Sequence, residues 1–509
     1  KIGASSAALL PDVLLMPDAY LLLCSVTAAG DFSAFTYPIG VSSFPSLNNT
    51  GDAVFLKDNT GVFIHAVEYA DTWYGTDSKK NGGWSLEMID ANNWCSGAAN
   101  WSASVSASGG TPGSKNSIAA TKNDSALLNI VRAALLSDTV LGITFNKSLD
   151  SAAVVNANFY TVSGNIGKPQ SVEVMPHLFN RVLLKFSQPF LRGITYSIKV
   201  NGLGDCAGNG MGINDTARFA LADSIAPNDI VINEMLFNPA TAGVDYVELY
   251  NRSQKVLDIA KLVVEEREVS NPENVLEKSD TLPDTFLLYP DEYAVFTTNT
   301  DMVKAQYNVK NPQQLLLLKK LPNFPDDAGI CVLKSTAGIV IDSLCYAAQW
   351  HYALLDEKDG VSLERINYNQ PTNDRGNWHS AAGDIGFGTP TYLNSQFYTT
   401  GISDDAIAVE PEVFSPDNDG YKDFTLVKYR FTEPGYQASI RIFDAIGREV
   451  KYLVKTETLS ATGEFQWDGT NNDGGKARTG IYTVFVEVFN LQGKTKRFKK
   501  NVVLGARLD

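Results

Sequence analysis

Apolar and polar residues alternate in short runs along this chain, and Gly, Asn, Asp or Pro ends nearly every run. A period of two puts one set of side chains on each face of a β-strand, so these runs predict half-buried strands joined by turns. DAVFLKDNTGVFIHAVEY (Asp52 to Tyr69) predicts a hairpin turning at Asp58-Asn59-Thr60-Gly61, and GICVLKSTAGIVIDSLCY (Gly329 to Tyr346) predicts the same hairpin again. RVLLKFSQ, TYSIKVNG, ASIRIFDAIGREVKYLV and GIYTVFVEVFNLQGKTKRF predict further strands or hairpins. Helical periodicity is scarce, with DMVKAQYN (Asp301 to Asn308) and NPQQLLLLKK (Asn311 to Lys320) the best short candidates. Many short strands with regular turn punctuation predict an all-β chain of tandem Ig-like sandwiches.

One phrase occurs twice. GGWSLEMID (Gly82 to Asp90) is repeated as DGVSLERIN (Asp359 to Asn367), with Gly83 and Gly360 277 residues apart. The same offset relates Leu56-Lys57 to Leu333-Lys334, Gly61 to Gly338, Tyr69 to Tyr346 and Trp73 to Trp350. It also relates Ser85-Leu86-Glu87 to Ser362-Leu363-Glu364, and Asn100-Trp101 to Asn377-Trp378. GTPGSKNS (Gly110 to Ser117) matches GTPTYLNS (Gly388 to Ser395) one residue later. A constant register over so many positions indicates a duplicated domain rather than a short-period solenoid. Upstream, LLMPDAYLLLC (Leu14 to Cys24) matches LLYPDEYAVFT (Leu287 to Thr297) at an offset of 273, which sets residue 1 opposite about residue 274. The second copy opens near Asp229 with DIVINEMLFNP and DYVELYNRS, for which the first copy has no counterpart. The first copy is therefore expected to be partial, its open strand edges completed by something outside the sequence. The expected domains are 1–118, 119–224, 225–397 and 398–509.

These motifs carry resemblances. IVINEMLFNP, DYVELYNRS, the hairpin, GVSLERIN and NW resemble the lamin-tail domain, an Ig-like sandwich, over residues 225–397 and, for the part present, 1–118. ITFNKSLD, FLRGITYSIKVNGLGDCAGN and RFAL in 119–224 resemble bacterial Ig-like modules. FSPDNDGYKD, IRIFDAIGREV, WDGTNNDGG and TGIYTV in 398–509 resemble the Ig-like domain of the flagellar hook-capping family and the C-terminal domains of gliding-associated proteins of Bacteroidetes. The combination implies a secreted or cell-surface protein of that phylum. The ending KNVVLGARLD departs from both common type IX sorting signals, which leaves the export route open.

Composition narrows the function. Hydrophobic residues make up 44% and charged residues 19%, as in globular chains. The net charge of −15 disfavours nucleic acid, where cations supply most of the affinity. The longest apolar stretch, AALLPDVLLMPDAYLLLC, is broken by two Pro-Asp pairs, so no transmembrane segment is expected. Five cysteines without a C-x-x-C pair fit neither a zinc site nor a disulfide scaffold. They are read as small apolar packing residues, with one disulfide left open.

Little in the sequence carries chemistry. His65, His177, His351 and His379 are scattered, and no HExxH, GxSxG or P-loop occurs. His65 is exchanged for Asp342 in the second copy, which argues against an essential ligand. No catalytic residue is assigned and no enzymatic activity is expected. Glu87 and Glu364 are read as structural carboxylates that cap backbone N–H groups or pair with a cation, with ligand binding as the alternative. Trp101 and Trp378 are read as core plugs. Trp73 and Trp350 end a hairpin before a loop and are the candidates for surface recognition. Asp417, Asp419 and Asp423 in SPDNDGYKD form the candidate Ca²⁺ site, although Asx-turns alone can explain DNDG. The expected function is structural or adhesive, at the extracellular or outer-membrane surface. The expected partner is another envelope protein or a surface glycan. The alternatives are an accessory region of a secreted hydrolase whose catalytic domain lies upstream, and an array of carbohydrate-binding modules.

Overall fold

The computed structural model describes residues 2–3, 7–355, 357–398 and 406–506. Part of the expected 397/398 linker and the last three residues of the ending lie outside these. The chain is all-β and forms two compact units, 1–221 and 222–509.

The first unit begins with β1 (Ile2–Gly3), β2 (Ala7–Ala8), β3 (Leu23–Ser25), β4 (Ile39–Val41), β5 (Gly51–Lys57), β6 (Phe63–Ala70), β7 (Leu86–Met88) and β8 (Trp101–Ala103). They form a four-stranded sheet in the order β2-β1-β5-β6 and two separate pairs, β3-β4 and β7-β8. An Ig-like sandwich follows: β9 (Ile130–Leu135), β10 (Val140–Phe145), β11 (Tyr160–Val162), β12 (Ser171–Met175), β13 (Arg181–Lys185), β14 (Thr195–Val200) and β15 (Thr216–Ala220). Its sheets β12-β13-β10-β9 and β11-β14-β15 enclose Phe145, Tyr160, Phe190, Tyr196 and Phe219. In its GLGDCAGN turn, Asp205 accepts the Ala207 and Asn209 amides and pairs with the buried Lys147.

The second unit opens with β16 (Ile230–Leu236), β17 (Tyr246–Asn251), β18 (Leu257–Asp258), β19 (Leu262–Glu268), β20 (Asn271–Lys278), β21 (Leu287–Leu288), β22 (Tyr293–Thr297) and β23 (Leu315–Leu317). β24 (Ala328–Ser335), β25 (Val340–Ala347), β26 (Leu363–Arg365) and β27 (Trp378–Ser380) complete this domain. A six-stranded sheet, β23-β22-β17-β16-β26-β27, faces the sheet β20-β19-β24-β25 across one apolar core. The C-terminal domain contains β28 (Ala406–Glu410), β29 (Val413–Phe414), β30 (Thr425–Arg430), β31 (Gln437–Asp444), β32 (Glu449–Thr458), β33 (Thr462–Trp467), β34 (Gly480–Phe489) and β35 (Thr495–Leu504). Its sheets β28-β30-β33 and β29-β35-β34-β31-β32 pack around Trp467, Phe414 and Tyr482.

The repeated phrase has a repeated geometry. Leu56 pairs with His65 as Leu333 pairs with Asp342, and both hairpins carry a register shift at the following lysine. Glu87 pairs with Ser102 as Glu364 pairs with His379. Gly61 and Gly338 take φ of 96° and 92° at the hairpin turns, where a side chain would be strained. Asp18 and Asp291 take φ of 60° and 61° before β3 and β22, and each of these strands has a parallel neighbour, β4 or β23.

The start of the first copy differs from the expected alignment. Ile2 pairs with Leu56 as Val264 pairs with Leu333, so β1 and β2 take the places of β19 and β20. The expectation that residue 1 falls opposite about residue 274 slips because β1 and β2 fall within residues 2–8, where the second copy spans Leu262–Lys278. The counterparts of β16 to β18 are what the first copy lacks among the described residues. DMVKAQYN forms the short helix Thr300–Gln306. NPQQLLLLKK instead gives one 3₁₀ turn and then β23, because its leucines are drawn into parallel pairing with β22. The one disulfide left open by the sequence is formed by Cys95 and Cys206 within the first unit, so these two are not free packing residues.

Trp378 is buried in the main core, donates its indole N–H to the Thr372 carbonyl at 2.6 Å, and lies under the Arg365 guanidinium. Trp378→Ala is expected to cost about 3–5 kcal/mol, read in a denaturant melt of the second unit. A change within about 0.5 kcal/mol, typical of surface substitutions, would contradict this packing.

Candidate functional site

The charges shared by the two copies are buried on the strand face opposite Leu363 and Leu86, under the segment that leaves each sandwich. Glu364 is fully buried on β26. Its Oε1 lies 2.7 Å from Thr389 Oγ1, and its Oε2 accepts from Ser395 Oγ at 2.7 Å and the Gln396 amide at 2.9 Å. Glu87 on β7 repeats the set with Thr111 Oγ1 at 2.8 Å, Ser117 Oγ at 2.7 Å and the Ile118 amide at 3.3 Å. The GTP…NS phrase is thus the donor set of this carboxylate. A buried carboxylate is tolerable only when such donors surround it.

In the second copy Glu364 ends a row of three glutamates across β26, β16 and β17, with Glu234 between it and Glu248, each fully buried. Glu234 Oε1 accepts from Tyr246 Oη, Ser362 Oγ and the Thr389 amide at 2.6, 2.6 and 2.9 Å. Glu248 accepts from Asn233 Nδ2 at 2.7 Å and the Thr391 amide at 2.5 Å. Thr389 Oγ1 lies 3.0 Å from Glu234 Oε2 and 2.7 Å from Glu364 Oε1. A hydroxyl has one proton to give, so one of these bonds must be donated by a protonated carboxyl. Glu234 already gathers three other donors and is the better anion, which places the shared proton on Glu364. Burial, and next the charge of Glu234, push Glu364 up to about 8, and burial raises Glu234 and Glu248 as well. At Glu87 burial also acts upward, but bonds from Ser117, Thr111, Ser104 and Ile118 outweigh it and hold the carboxyl below its usual range.

These glutamates also fix where each sandwich hands the chain on. Gln396, whose amide Glu364 binds, donates from Nε2 to the Leu459 carbonyl and accepts the Gly435 amide on Oε1. Ser395 accepts the Ala461 amide on its carbonyl. Asp384 adds bonds to Ser460 Oγ at 2.9 Å and to Tyr429 Oη. The second sandwich and the C-terminal domain are therefore joined by buried polar contacts. In the first copy the exit is held by the Lys122 amide on Asp90 at 2.8 Å and by Asn93 Nδ2 on the Lys122 carbonyl at 2.8 Å.

The exchange of His65 for Asp342 is one half of a paired change. Asp342 and Arg365 form a buried ion pair at 3.2 Å, completed by Thr372 Oγ1. Their counterparts are His65 and Met88. Losing one partner of a buried pair strands a charge, so both change together. Burial lowers the His65 imidazole. The Nδ1 of His351 lies 2.9 Å from the buried Ser380 Oγ, and burial pushes this ring down to about 4.

Asp417, Asp419 and Asp423 each bring an oxygen within 4.8 Å of the others. These carboxylates also close their own loop: Asp423 accepts the Asn418 and Gly420 amides at 2.7 and 2.9 Å, and Asp419 the Tyr421 amide at 2.7 Å. Hard carboxylate oxygens on a turning loop fit a divalent cation such as Ca²⁺, while the amide bonds fit Asx-turns without one. Trp73 and Trp350 both stand half-buried on 3₁₀ turns after β6 and β25. Trp350 packs against the main core, and Trp73 lies 6.4 Å from Trp101, which is itself half-buried.

The FlgD Ig-like domain family matches residues 419–491. A search of curated protein sequences finds no match. Among solved structures, the N-terminal part of the bacterial S-layer protein SbsC is similar at 14% identity, with 44% of each chain covered and a TM-score of 0.19. PorZ, a surface component of the type-IX secretion system of Porphyromonas gingivalis, is similar at 12% identity, covering 89% of this chain and 56% of that one, with a TM-score of 0.17. A tetra-tandem repeat from the extending region of a large adhesion protein is similar at 12% identity, covering 93% and 85%, with a TM-score of 0.14. The chain covers less than two thirds of SbsC or PorZ, and at these scores the likeness carries no argument.

Protonation gives a testable sign. A carboxyl whose folded pKa is raised lends stability that is fully present below its unfolded pKa, near 4.5, and lost as pH rises through the folded value. Stability of the second unit is expected to fall between about pH 4.5 and 8 on account of Glu364. Glu364→Gln keeps the neutral hydrogen-bond pattern and is expected to flatten this slope. Chemical melts of both proteins across that range check it, and an unchanged slope would place the proton elsewhere.

Proposed function

We propose that this chain is a non-catalytic structural or adhesive protein of a bacterial cell surface, with two lamin-tail-type sandwiches spaced by Ig-like domains, as in surface proteins of Bacteroidetes. Its work is to hold a fixed spacing and present loops to another envelope protein. The observation that carries this reading is the way successive domains are fastened. Cys95–Cys206 crosslinks the first sandwich to the following Ig-like domain, and the Glu364-held segment Ser395–Gln396 grips the C-terminal domain. Fastened domains transmit position, which a spacer needs. A disulfide also suits an oxidising compartment outside the cytoplasm. No helix among the described residues is long and apolar enough to cross a membrane.

The location is tested on intact cells that produce the protein. Cys345 is a free, exposed thiol. A membrane-impermeant maleimide is expected to label it without lysis, and labelling only after lysis would contradict surface exposure. Turnover of a peptide, glycan or nucleic acid, abolished by one substitution within residues 1–509, would contradict the non-catalytic reading.

The crosslink closes a loop of 111 residues. Cys95→Ser is expected to destabilise the first unit by about 4–5 kcal/mol, the loop-closure value for that length. The second unit, melted in the same sample, serves as the internal control.

A further inference from the structure

In the C-terminal domain β35, β34, β31 and β32 lie side by side, and alternate side chains of each point away from the core. Val484 and Val486 of β34 and Ile440 and Ile442 of β31 are buried, which turns Phe485 and Arg441 outward. The register sets Lys499 opposite Phe485, Phe485 opposite Arg441, and Arg441 opposite Tyr452. One row thus crosses four strands, roughly 14 Å, and alternates cation with ring. Lys499 Nζ lies 5.9 Å from the Phe485 ring, and the Arg441 guanidinium lies 4.7 Å from the Tyr452 ring. Lys455 Nζ comes within 5.7 Å of the same tyrosine. Beside the row, Phe443 meets Phe485 edge to face at 6.4 Å and stands half-buried, with no cation over its ring among the described residues.

The charge on this face runs against that of the chain, which is −15 overall. The acids beside the row are engaged: Glu487 pairs with Arg497 at 3.0 Å, and Glu449 accepts from Asn472 Nδ2 at 3.4 Å. Lys455 and Lys499 are exposed and form no ion pair among the described residues.

We infer that this outer sheet face binds a carboxylated polysaccharide. Arg441 presents a planar fork of donors that matches a carboxylate. The Tyr452 ring and its hydroxyl, which accepts from Arg441 Nη2 at 3.4 Å, hold that fork in place. Lys499 and Lys455 add point charges towards the two ends of the row. Phe443 offers an aromatic plane to the apolar face of a sugar ring, and Thr483, opposite it on β34, offers a hydroxyl. Single-stranded nucleic acid fits this face less well. It needs bare rings for successive bases and a continuous line of cations, whereas Phe485 and Tyr452 already carry cations and two acids interrupt the face. An acidic protein strand would add to a sheet edge, and this row lies on a face. The inference stands apart from the spacer role, because the junction with the second sandwich uses Gly435, Leu459 and Ser460 instead.

The test uses the full chain in affinity electrophoresis, with polygalacturonate in the gel as the probe. Retardation is expected with polygalacturonate and not with its methyl ester, which keeps the sugars and loses the charges. Arg441→Gln is expected to weaken binding about tenfold, since a charged donor to the carboxylate is lost. Lys499→Gln is expected to weaken it about threefold, as befits an exposed pair. Lys428→Gln removes a cation from the other sheet of the same domain, where it pairs with Glu410, and is expected to change nothing. Thermal melts confirm that each variant is folded. Absence of retardation, equal retardation by the methyl ester, or an equal effect of Lys428→Gln and Arg441→Gln would overturn the proposal. So would stronger binding of single-stranded oligothymidylate than of polygalacturonate, because the face would then be a nucleic-acid surface.

Discussion

The whole arrangement turns on one carboxylate placed where water cannot reach it. Glu364, and Glu87 in the duplicate, take the polar phase of their strands, opposite Leu363 and Leu86, yet that face is covered and both are buried. Left alone, a buried charge or an unpaired carboxyl is strongly unfavourable. The chain answers by folding its exit segment back over the carboxylate, so that a threonine, a serine and one backbone amide all point at it. The exit segment has no other regular structure to hold it. Together with Glu234 on Thr389, Glu248 on Thr391 and Asn233 on Asn394, the carboxylate turns a loop into a fixed departure point for the next domain.

The same logic explains why one glutamate behaves in two ways. Around Glu87 only donors are gathered, and the anion is stabilised. Around Glu364 two more carboxyl groups arrive on β16 and β17, and three negative charges cannot share one dry layer. A proton held between Glu364 and Thr389 relieves the repulsion without changing the geometry. Among the described residues, the difference between the copies goes with β16 and β17, which set Glu234 and Glu248 in one row with Glu364, not with the residues they share.

Much of the fold was legible because strand alternation and turn chemistry are local. Asp58 accepts the Thr60 and Val62 amides, and Gly61 takes the positive φ, so the first hairpin turn could be read from four residues. The constant offset likewise showed the duplication, since identical donor sets need identical spacing. What escaped was non-local or broke the alternation rule. Leu315–Leu317 lie in a stretch read as a helix candidate but form a strand because β22 offered a parallel edge. Cys95 and Cys206 are 111 residues apart, and nothing near either one marks the other. Glu234 and Glu248 were visible as lone charges inside the apolar runs IVINEMLF and YVELY, which is the signal that could have found them.

That signal has a general physical reading. A charged residue inside a run that is apolar on both phases is either an error of register or the mark of a buried network, since a slip by one residue moves each side chain to the other face. In IVINEMLF the neighbours on both sides of Glu234 are also buried, so no slip brings the charge out without exposing Met235 and Leu236. The acid is inside because the strand has water on neither face. It must then meet donors on other strands, and the donors must come from segments that recur wherever the acid recurs. The GTP…NS phrase recurs with Glu87 and Glu364, so the pairing of acid and donor could have been inferred from the two repeats alone. Ser85 recurs as well, and in the second copy its counterpart Ser362 donates to Glu234, so the serine before the shared Leu-Glu pair belongs to the same network.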